Sequence, residues 1–377
     1  MERYKMKIRI KKVESKSDLN KFIKLPWKIY KNDINWVPPL ISQMKSTFNP
    51  NKNPYFKHSE VQFFLAIKNN NIVGRIAAHI NRSHNKFHND KVGFFGFFEC
   101  IPDYNVAKTL FDEAYNWLKK RDMEVIRGPM SFSTNDELGL LIKGFNMPPM
   151  VMMTYNPQYY ESFIEKYGFK KAKDLYAYYI DLHEKMPERF ERLMKRVKER
   201  KRFILRKINP KKIEQEIATI FQIYNQAWQY NWGFVPMDED EFHHTANELK
   251  KIADFDLLFI VEIDNKPVGF SLSLPDINQA LIKANGRLFP FGWLKLLLAF
   301  KKIDRVRTIT LGIVKKYKDL GIDLALYYET IKNAIKKGCG RGEASWILED
   351  NMKMRRPLER MGADIYKIYR IYDKKLV

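Results

Sequence analysis

The alternation of apolar and polar positions divides the chain into short strands and helical stretches, and it does so twice. Residues 64–74 read FLAIKNNNIVG: an apolar run, a polar tip, and a second run opening at Val-Gly. Residues 259–269 read FIVEIDNKPVG, the same pattern 195 positions later. Apolar runs around a tip of Asn, Asp and Lys predict a β-hairpin. A second pair at the same offset reads NPQYYESFIEKYGF from Asn156 and NMKMRRPLERMGA from Asn351. Two matched pairs at one offset point to internal duplication. Each copy predicts a first strand and helices (6–40 and 203–252), the hairpin, then a strand at Val92–Phe98 or Val306–Ile313. A helix follows over 105–120 or 321–337, then a strand at Glu124–Gly128 or Glu343–Leu348. An Asn-led helix and a Tyr-rich closing strand, Leu175–Asp181 or Ile365–Tyr372, complete each copy. Strands alternating with helices of this length give an α/β fold of mixed sheets. PERFERLMKRVKERKR, residues 187–202, predicts a basic linker helix, either solvated or touching RNA or lipid. The expected organisation is a first domain over 1–183, a linker over 184–202 and a second domain over 203–377.

Composition supports two domains and narrows the partners. A length of 377 residues suits two domains, and 45% hydrophobic with 14% aromatic residues is enough for two cores. Such a composition excludes intrinsic disorder. The net charge of +23 leaves three partner classes: phosphate-bearing cofactors, RNA and anionic membrane. Cys100 and Cys339 have no CxxC neighbour and read as reduced structural thiols. The opening MERYKMKIRIKK has no apolar h-region, and no run approaches the roughly 20 apolar residues of a spanning helix. A cytoplasmic protein is expected.

The segment TITLGIVKKYKDLGIDLA, residues 308–325, carries the clearest chemistry. An alternating strand runs into a basic turn, and Gly321 opens a long helix. Unpaired N–H groups and the helix dipole at such a junction attract phosphate, and glycine permits close approach. Lys315, Lys316 and Lys318 add positive charge.

Here the sequence resembles the GNAT superfamily of CoA-dependent N-acyltransferases, whose loop reads Gln/Arg-x-x-Gly-x-Gly/Ala. Lys318 stands at the Gln/Arg position, Gly321 matches, and Asp323 replaces the small residue. The family's Asn-x-x-Ala-x-x-Leu-Tyr-x-x-x-Gly-Phe is met by Asn351, Met354, Pro357, Leu358, Gly362 and Ala363, with Leu358 in place of the Tyr that protonates the departing thiolate. Tyr366, Tyr369 and Tyr372 are nearby substitutes. The chain also resembles, more narrowly, a bacterial family of tandem GNAT-like proteins that includes ceramide synthase relatives. KVGFFGFFEC (91–100), MTYNPQYY (153–160), KDLYAY (173–178) and LEDNMKMRRPLERMGADIYKIYRIY (348–372) carry that resemblance.

The resemblance implies two tandem GNAT-like domains and an acetyl-CoA or longer acyl-CoA co-substrate. It places the CoA at Leu311, Gly312, Ile313, Lys316, Lys318, Leu320, Gly321 and Ile322. An amine attacking the thioester needs a carboxylate base. Glu349 ranks first, then Glu343, with Asp350 and, in the first copy, Glu99 and Glu137 also considered. Asn351 and Tyr369 complete the catalytic expectation. Arg355 and Arg356 either grip an acidic group or decorate a helix. The first copy lacks the phosphate loop: Glu99-Cys100-Ile101-Pro102-Asp103 precedes its helix without a glycine. His79, His84 and His88 cluster in sequence, but a strand-to-loop segment offers them no shared helical face, so no metal site is expected. The insertion RLFPFGWLKLLLAFKKIDR, 287–305, combines Trp, Leu and Phe with lysines. It reads as a helix over the core or cleft, a contact with an anionic membrane or an acyl chain, or a dimer contact. The leading expectation is N-acylation of a lipid or other hydrophobic amine. An aminoacyl-tRNA-dependent peptidyltransferase and a non-catalytic CoA-binding module stay open beside it.

Overall fold

Both hairpin tips are built the same way. Asn69-Asn70 and Asp264-Asn265, again 195 positions apart, all take left-handed backbone angles, with φ between 50° and 59°. Asn and Asp tolerate that region, and a two-residue loop of this kind matches the twist of paired strands. The computed structural model describes residues 8–183, 188–200 and 202–377.

The first half contains β1 (Arg9–Lys12), β2 (Ser59–Lys68), β3 (Asn71–Asn81), β4 (Val92–Cys100), β5 (Val125–Gly128), the short β6 (Met130–Ser131), β7 (Glu137–Leu138) and β8 (Leu140–Lys143), and β9 (Lys170–Asp181). Its helices are α1 (Lys16–Lys24), α2 (Pro26–Ile29), α3 (Ile41–Thr47), α4 (Arg82–His88), α5 (Tyr104–Lys119) and α6 (Tyr159–Lys166). After α7 (Glu188–Glu199) come β10 (Ile204–Lys207), β11 (Leu258–Ile263), β12 (Lys266–Pro275), β13 (Arg305–Ile313), β14 (Arg341–Leu348) and β15 (Asp364–Lys375). The helices of this half are α8 (Ile213–Trp228), α9 (Glu239–Lys250), α10 (Asn278–Ala284), α11 (Gly292–Phe300), α12 (Ile322–Lys336) and α13 (Met352–Arg360). The duplicated α/β architecture is therefore present.

The chain forms two compact units: 1–174 with 284–293 and 369–377, and 175–283 with 294–368. The closing strands have changed places. In the first unit antiparallel β1-β2-β3-β4 is followed by β5, parallel to β4, and then by the end of β15, where Tyr372–Lys375 face Gly128–Val125. In the second unit the order is β10-β11-β12-β13, then β14 parallel to β13, then residues 175–181 of β9. Each unit thus borrows its last strand from the other sequence repeat.

Helical periodicity buries one face of α5, including Val106, Leu110, Phe111, Ala114, Trp117 and Leu118, in the first core with Phe95, Phe98 and Phe169. The equivalent α12 buries Ile322, Leu326 and Ile331 in the second unit. Each large side chain buried this way contributes about 1.5–3 kcal/mol.

The segment expected to run from strand to loop is helical over Arg82–His88. His84 and His88 do share a helical face, because Asn81 caps α4 by accepting from the His84 N–H and Asn89 ends it in a left-handed conformation. Their ring centroids are 4.4 Å apart. Burial pushes His84 down to about 3 and His79 to about 4, so both are neutral. In neutral His79 one ring nitrogen meets the Met130 carbonyl at 3.0 Å and the other the Tyr55 hydroxyl at 2.8 Å.

Candidate active site

The parallel pair β13–β14 is short. Its register runs from Arg305↔Arg341 to Thr308↔Ala344 and no further. Beyond that point Ile309–Ile313 and Ser345–Leu348 diverge, and both segments line a cleft of about 490 Å³. The β12–β13 register also slips between Leu272 and Ser273, leaving Ile309 as an extra residue at the mouth of the divergence. A bulge of this kind takes one residue out of the ladder and re-aims its backbone.

Three other elements close the cleft. From the end of α8 come Trp228, Tyr230, Asn231 and Trp232; from the turn and start of α12, Lys318, Asp323 and Tyr327; from the start of α13, Asp350, Asn351, Lys353 and Met354. Trp228 stacks on Tyr224, with centroids 4.8 Å apart, and lies against β13. A Cβ on Gly312 would fall 1.9 Å from the Trp228 ring, so a side chain there would push that ring aside. Gly321 has φ 77° and joins a 3-10 turn, Lys315–Leu320, to α12. Burial, then the charges of Lys353 and Lys315, lower the Lys318 pKa, which marks a concentration of positive charge beside the cleft. Lys315 also sits 4.4 Å from the Tyr230 ring. The Tyr327 hydroxyl lies 3.9 Å from the Met354 sulfur, and burial raises its pKa strongly.

Of the expected CoA contacts, Leu311, Gly312, Ile313 and Lys318 line the cleft. Lys316, Leu320, Gly321 and Ile322 form the turn and helix start beside it. Asn351 lines it while capping α13 through the Met354 N–H. Glu349 is half-buried and outside the lining residues, and its carbonyl accepts from Arg355. Arg355 is tied further to Tyr178, at 2.9 Å, and to Glu359, which makes it a brace of α13. Arg356 is exposed.

Glu343 is buried beside the cleft floor rather than on it. It accepts from the Ser345 hydroxyl at 2.5 Å and from Tyr366, and it pairs with Arg307 at 3.2 Å. Arg307 in turn donates to Ser345 Oγ at 2.8 Å. Lys367 lies close enough to feel the Glu343 charge, although burial holds its pKa down to about 8. Tyr369 is fully buried and belongs to the first compact unit, as does Tyr372, and Leu358 packs into the second core. The aromatic wall of Trp228, Tyr230, Trp232 and Trp346, and Tyr327 itself, were missed by sequence reasoning. For Trp228, Tyr230 and Trp232 the one signal was the aromatic density of QAWQYNWGF, residues 226–234.

The corresponding divergence in the first unit is filled. Parallel pairing of β4 with β5 ends at Phe94↔Arg127, and the segment 130–132 enters the gap. A Cβ on Gly96 would meet the Met130 carbonyl at 1.9 Å, and the Phe97 N–H donates to Ser131 Oγ. Glu99 is buried, accepting from Tyr30 and Tyr160 at 2.9 and 2.8 Å with Arg75 3.8 Å away. Burial raises its pKa against the pull of Arg75. Asp103 caps α5 and pairs with Lys68, and Glu137 is exposed on β7.

No protein-family model matches the chain. It is 38% identical over 370 residues to Protein YghO of Escherichia coli (strain K12), spanning 96% of this chain and 94% of that protein. It is 36% identical over 371 residues to the bacterial ceramide synthase of Caulobacter vibrioides (strain NA1000 / CB15N), spanning 97% and 96%. A tandem GNAT protein from the clavulanic acid biosynthesis pathway superposes with a TM-score of 0.58 at 9% identity, over 98% of this chain and 99% of that one, a likeness of fold. The fold is thus the duplicated GNAT acyltransferase fold, and the chain belongs to the bacterial family of tandem GNAT-like proteins that includes the YghO protein and the ceramide synthase.

Proposed function

We propose that the second unit is an acyl-CoA-dependent N-acyltransferase site. The observation that carries this is the opening of β13 from β14 after Thr308 and Ala344, with Lys318 and Lys353 along one wall and the start of α12 beside it. The CoA phosphates bind at that basic end, where helix N–H groups and ammonium groups act together. The pantetheine runs along the backbone of Leu311, Gly312 and Ile313. The bulged backbone at Ile309 supplies the donor for the thioester oxygen as charge develops there.

Asp350 is the carboxylate of α13's leading turn that lines the cleft, and we assign it the base, acting directly or through water. It takes the proton from the amine, whose lone pair attacks the thioester carbon. The tetrahedral adduct collapses by breaking the C–S bond, and the leaving thiolate takes a proton from Tyr327, which recovers one from solvent as Asp350 gives up the proton it took from the amine. The products are an amide and free CoA thiol. The Trp228, Tyr230, Trp232 and Trp346 wall suits an apolar acceptor. The ceramide synthase relative, by its name, makes a lipid amide, and a lipid or other hydrophobic amine is the acceptor class we assign here.

Calorimetric titration of acetyl-CoA and a long-chain acyl-CoA into wild type and Lys318→Glu tests the site, and thiol release across an amine panel tests the reaction. Binding of either CoA that weakens at least ~10-fold in the variant supports the reading. Absence of binding to either CoA would overturn it, and salt-sensitive tRNA binding in its place would favour a peptidyltransferase. CoA binding without thiol release for any amine would reduce the protein to a binding module.

A further inference from the structure

Helix α11 has its apolar residues on the wrong side for a water-soluble surface. Its half-buried positions are Gly292, Leu296 and Ala299, continued by Ile303, a spacing of four, three and four that defines the inward face. The outward positions are Trp293, Leu294, Leu297, Leu298 and Phe300, with no residue of the helix fully buried. Leu297 and Leu298 are 59% and 62% exposed, and Phe289 and Phe291 in the preceding turn are 79% and 68% exposed. Among the described residues, seven of the fifteen large hydrophobic side chains exposed to solvent fall between Phe289 and Phe300. Such concentration is rare on a water-facing surface and marks a contact.

Charge identifies what it contacts. Between Asn278 and Ile303 the chain carries Lys283, Arg287, Lys295, Lys301 and Lys302 and no acidic residue. A second copy of this chain would set those five cations against the same five, an unfavourable isologous contact. An anionic lipid surface satisfies both features: acyl boundary for Trp, Leu and Phe, headgroup phosphate for Lys and Arg. Trp293, whose indole N–H donates to the Pro290 carbonyl, is the residue type favoured at that boundary. The nine residues of α11 rise about 14 Å, enough to lie in an interface and too little to cross a bilayer. No helix among the described residues is long and apolar enough to cross one.

We propose that α11 and the turn before it are a docking surface for an anionic bilayer, placing the protein peripherally at a membrane. The inference stands on the helix and its charges and is independent of the acyltransferase reading.

Co-sedimentation with vesicles of phosphatidylcholine, with and without phosphatidylglycerol, tests it. Wild type should bind the phosphatidylglycerol vesicles at least ~10-fold more tightly than the neutral ones, and less tightly as salt rises. The double substitution Leu297→Glu with Leu298→Glu should weaken that binding at least ~10-fold. Lys301→Glu with Lys302→Glu should remove the preference for anionic lipid. All these positions are exposed, so thermal melting should be unchanged. No binding to phosphatidylglycerol vesicles at low salt, or binding unaffected by the leucine substitutions, overturns the proposal. A concentration-dependent dimer abolished by the same leucine substitutions, without vesicle binding, would assign the face to self-association instead.

Discussion

Glu343 shows how one carboxylate near a cleft acquires a structural task. Its side chain and that of Arg307 are 0% and 2% exposed, and Ser345 and Tyr366 donate to it. Removing one partner of a buried ion pair leaves the other uncompensated. Glu343→Gln should therefore lower unfolding stability by about 3 kcal/mol in urea melts, while acyl-CoA affinity measured well below the melting temperature stays within a factor of about two; a catalytic role alone would leave the melt unmoved. Tyr327 is the opposite case, a hydroxyl at the cleft beside a thioether. Tyr327→Phe should lower kcat by about 100-fold with little change in acyl-CoA Kd, since a general acid acts in the transition state. Lys318 gives a pH signature. Burial and its lysine neighbours lower its pKa in the free protein, and a bound phosphate favours the charged form and raises it again. Binding should then take up a proton wherever pH lies between the two values, and affinity should fall as pH rises toward the ordinary lysine value of 10.5. Calorimetry at a pH above the phosphate range, in two buffers of different ionisation enthalpy, should show that uptake in wild type and lose it in Lys318→Met.

At the level of elements, the strands and helices around the cleft were legible because their patterns are local. Asn69-Asn70 and Asp264-Asn265 announce their turns by residue type, and the buried stripe of α12 follows helical spacing. Whether the gap in each copy stays open was less legible, because it depends on where parallel pairing ends. Nothing in KVGFFGFFEC reveals that residues 130–132 enter the gap beside β4; the missing glycine before α5 carried only the expectation that the first copy lacks a phosphate loop. Trp228 escaped for the same reason: its partner Gly312 is 84 positions away in sequence. The filled gap has a testable cost. Gly96→Ala would drive a methyl group into the Met130 carbonyl, and backbone cannot yield as a flexible side chain does. It should cost about 1–3 kcal/mol of stability by denaturant titration, with acyl-CoA affinity unchanged, because the affected strands belong to the first unit.

For the whole molecule, the duplication that the sequence displays so plainly does not give two self-sufficient halves. Local pattern places the closing strands correctly in the chain but says nothing about which fifth strand each will join. The second unit needs residues 175–181 to pair with β14, from Leu175↔Leu348 to Asp181↔Arg341. The first needs 369–377, whose Arg370 is held to Asp174 at 2.7 Å and whose Asp373 takes a bidentate contact from Arg127 at 2.8 and 2.7 Å. A fragment of residues 203–377, the second repeat as sequence alone delimits it, would leave β14 with an open edge exactly where the cleft strand needs support. An unpaired edge is both a loss of ladder hydrogen bonds and a template for aggregation. That fragment should show no cooperative melt and no acyl-CoA binding, whereas the full chain should show both. Cooperative folding with full acyl-CoA affinity in the 203–377 fragment would mean that its own closing strand can replace the borrowed one. Dependence runs from strand exchange to cleft: a duplicated fold whose repeats exchange closing strands can carry one open cleft and one filled one, because the filled copy still supplies β9.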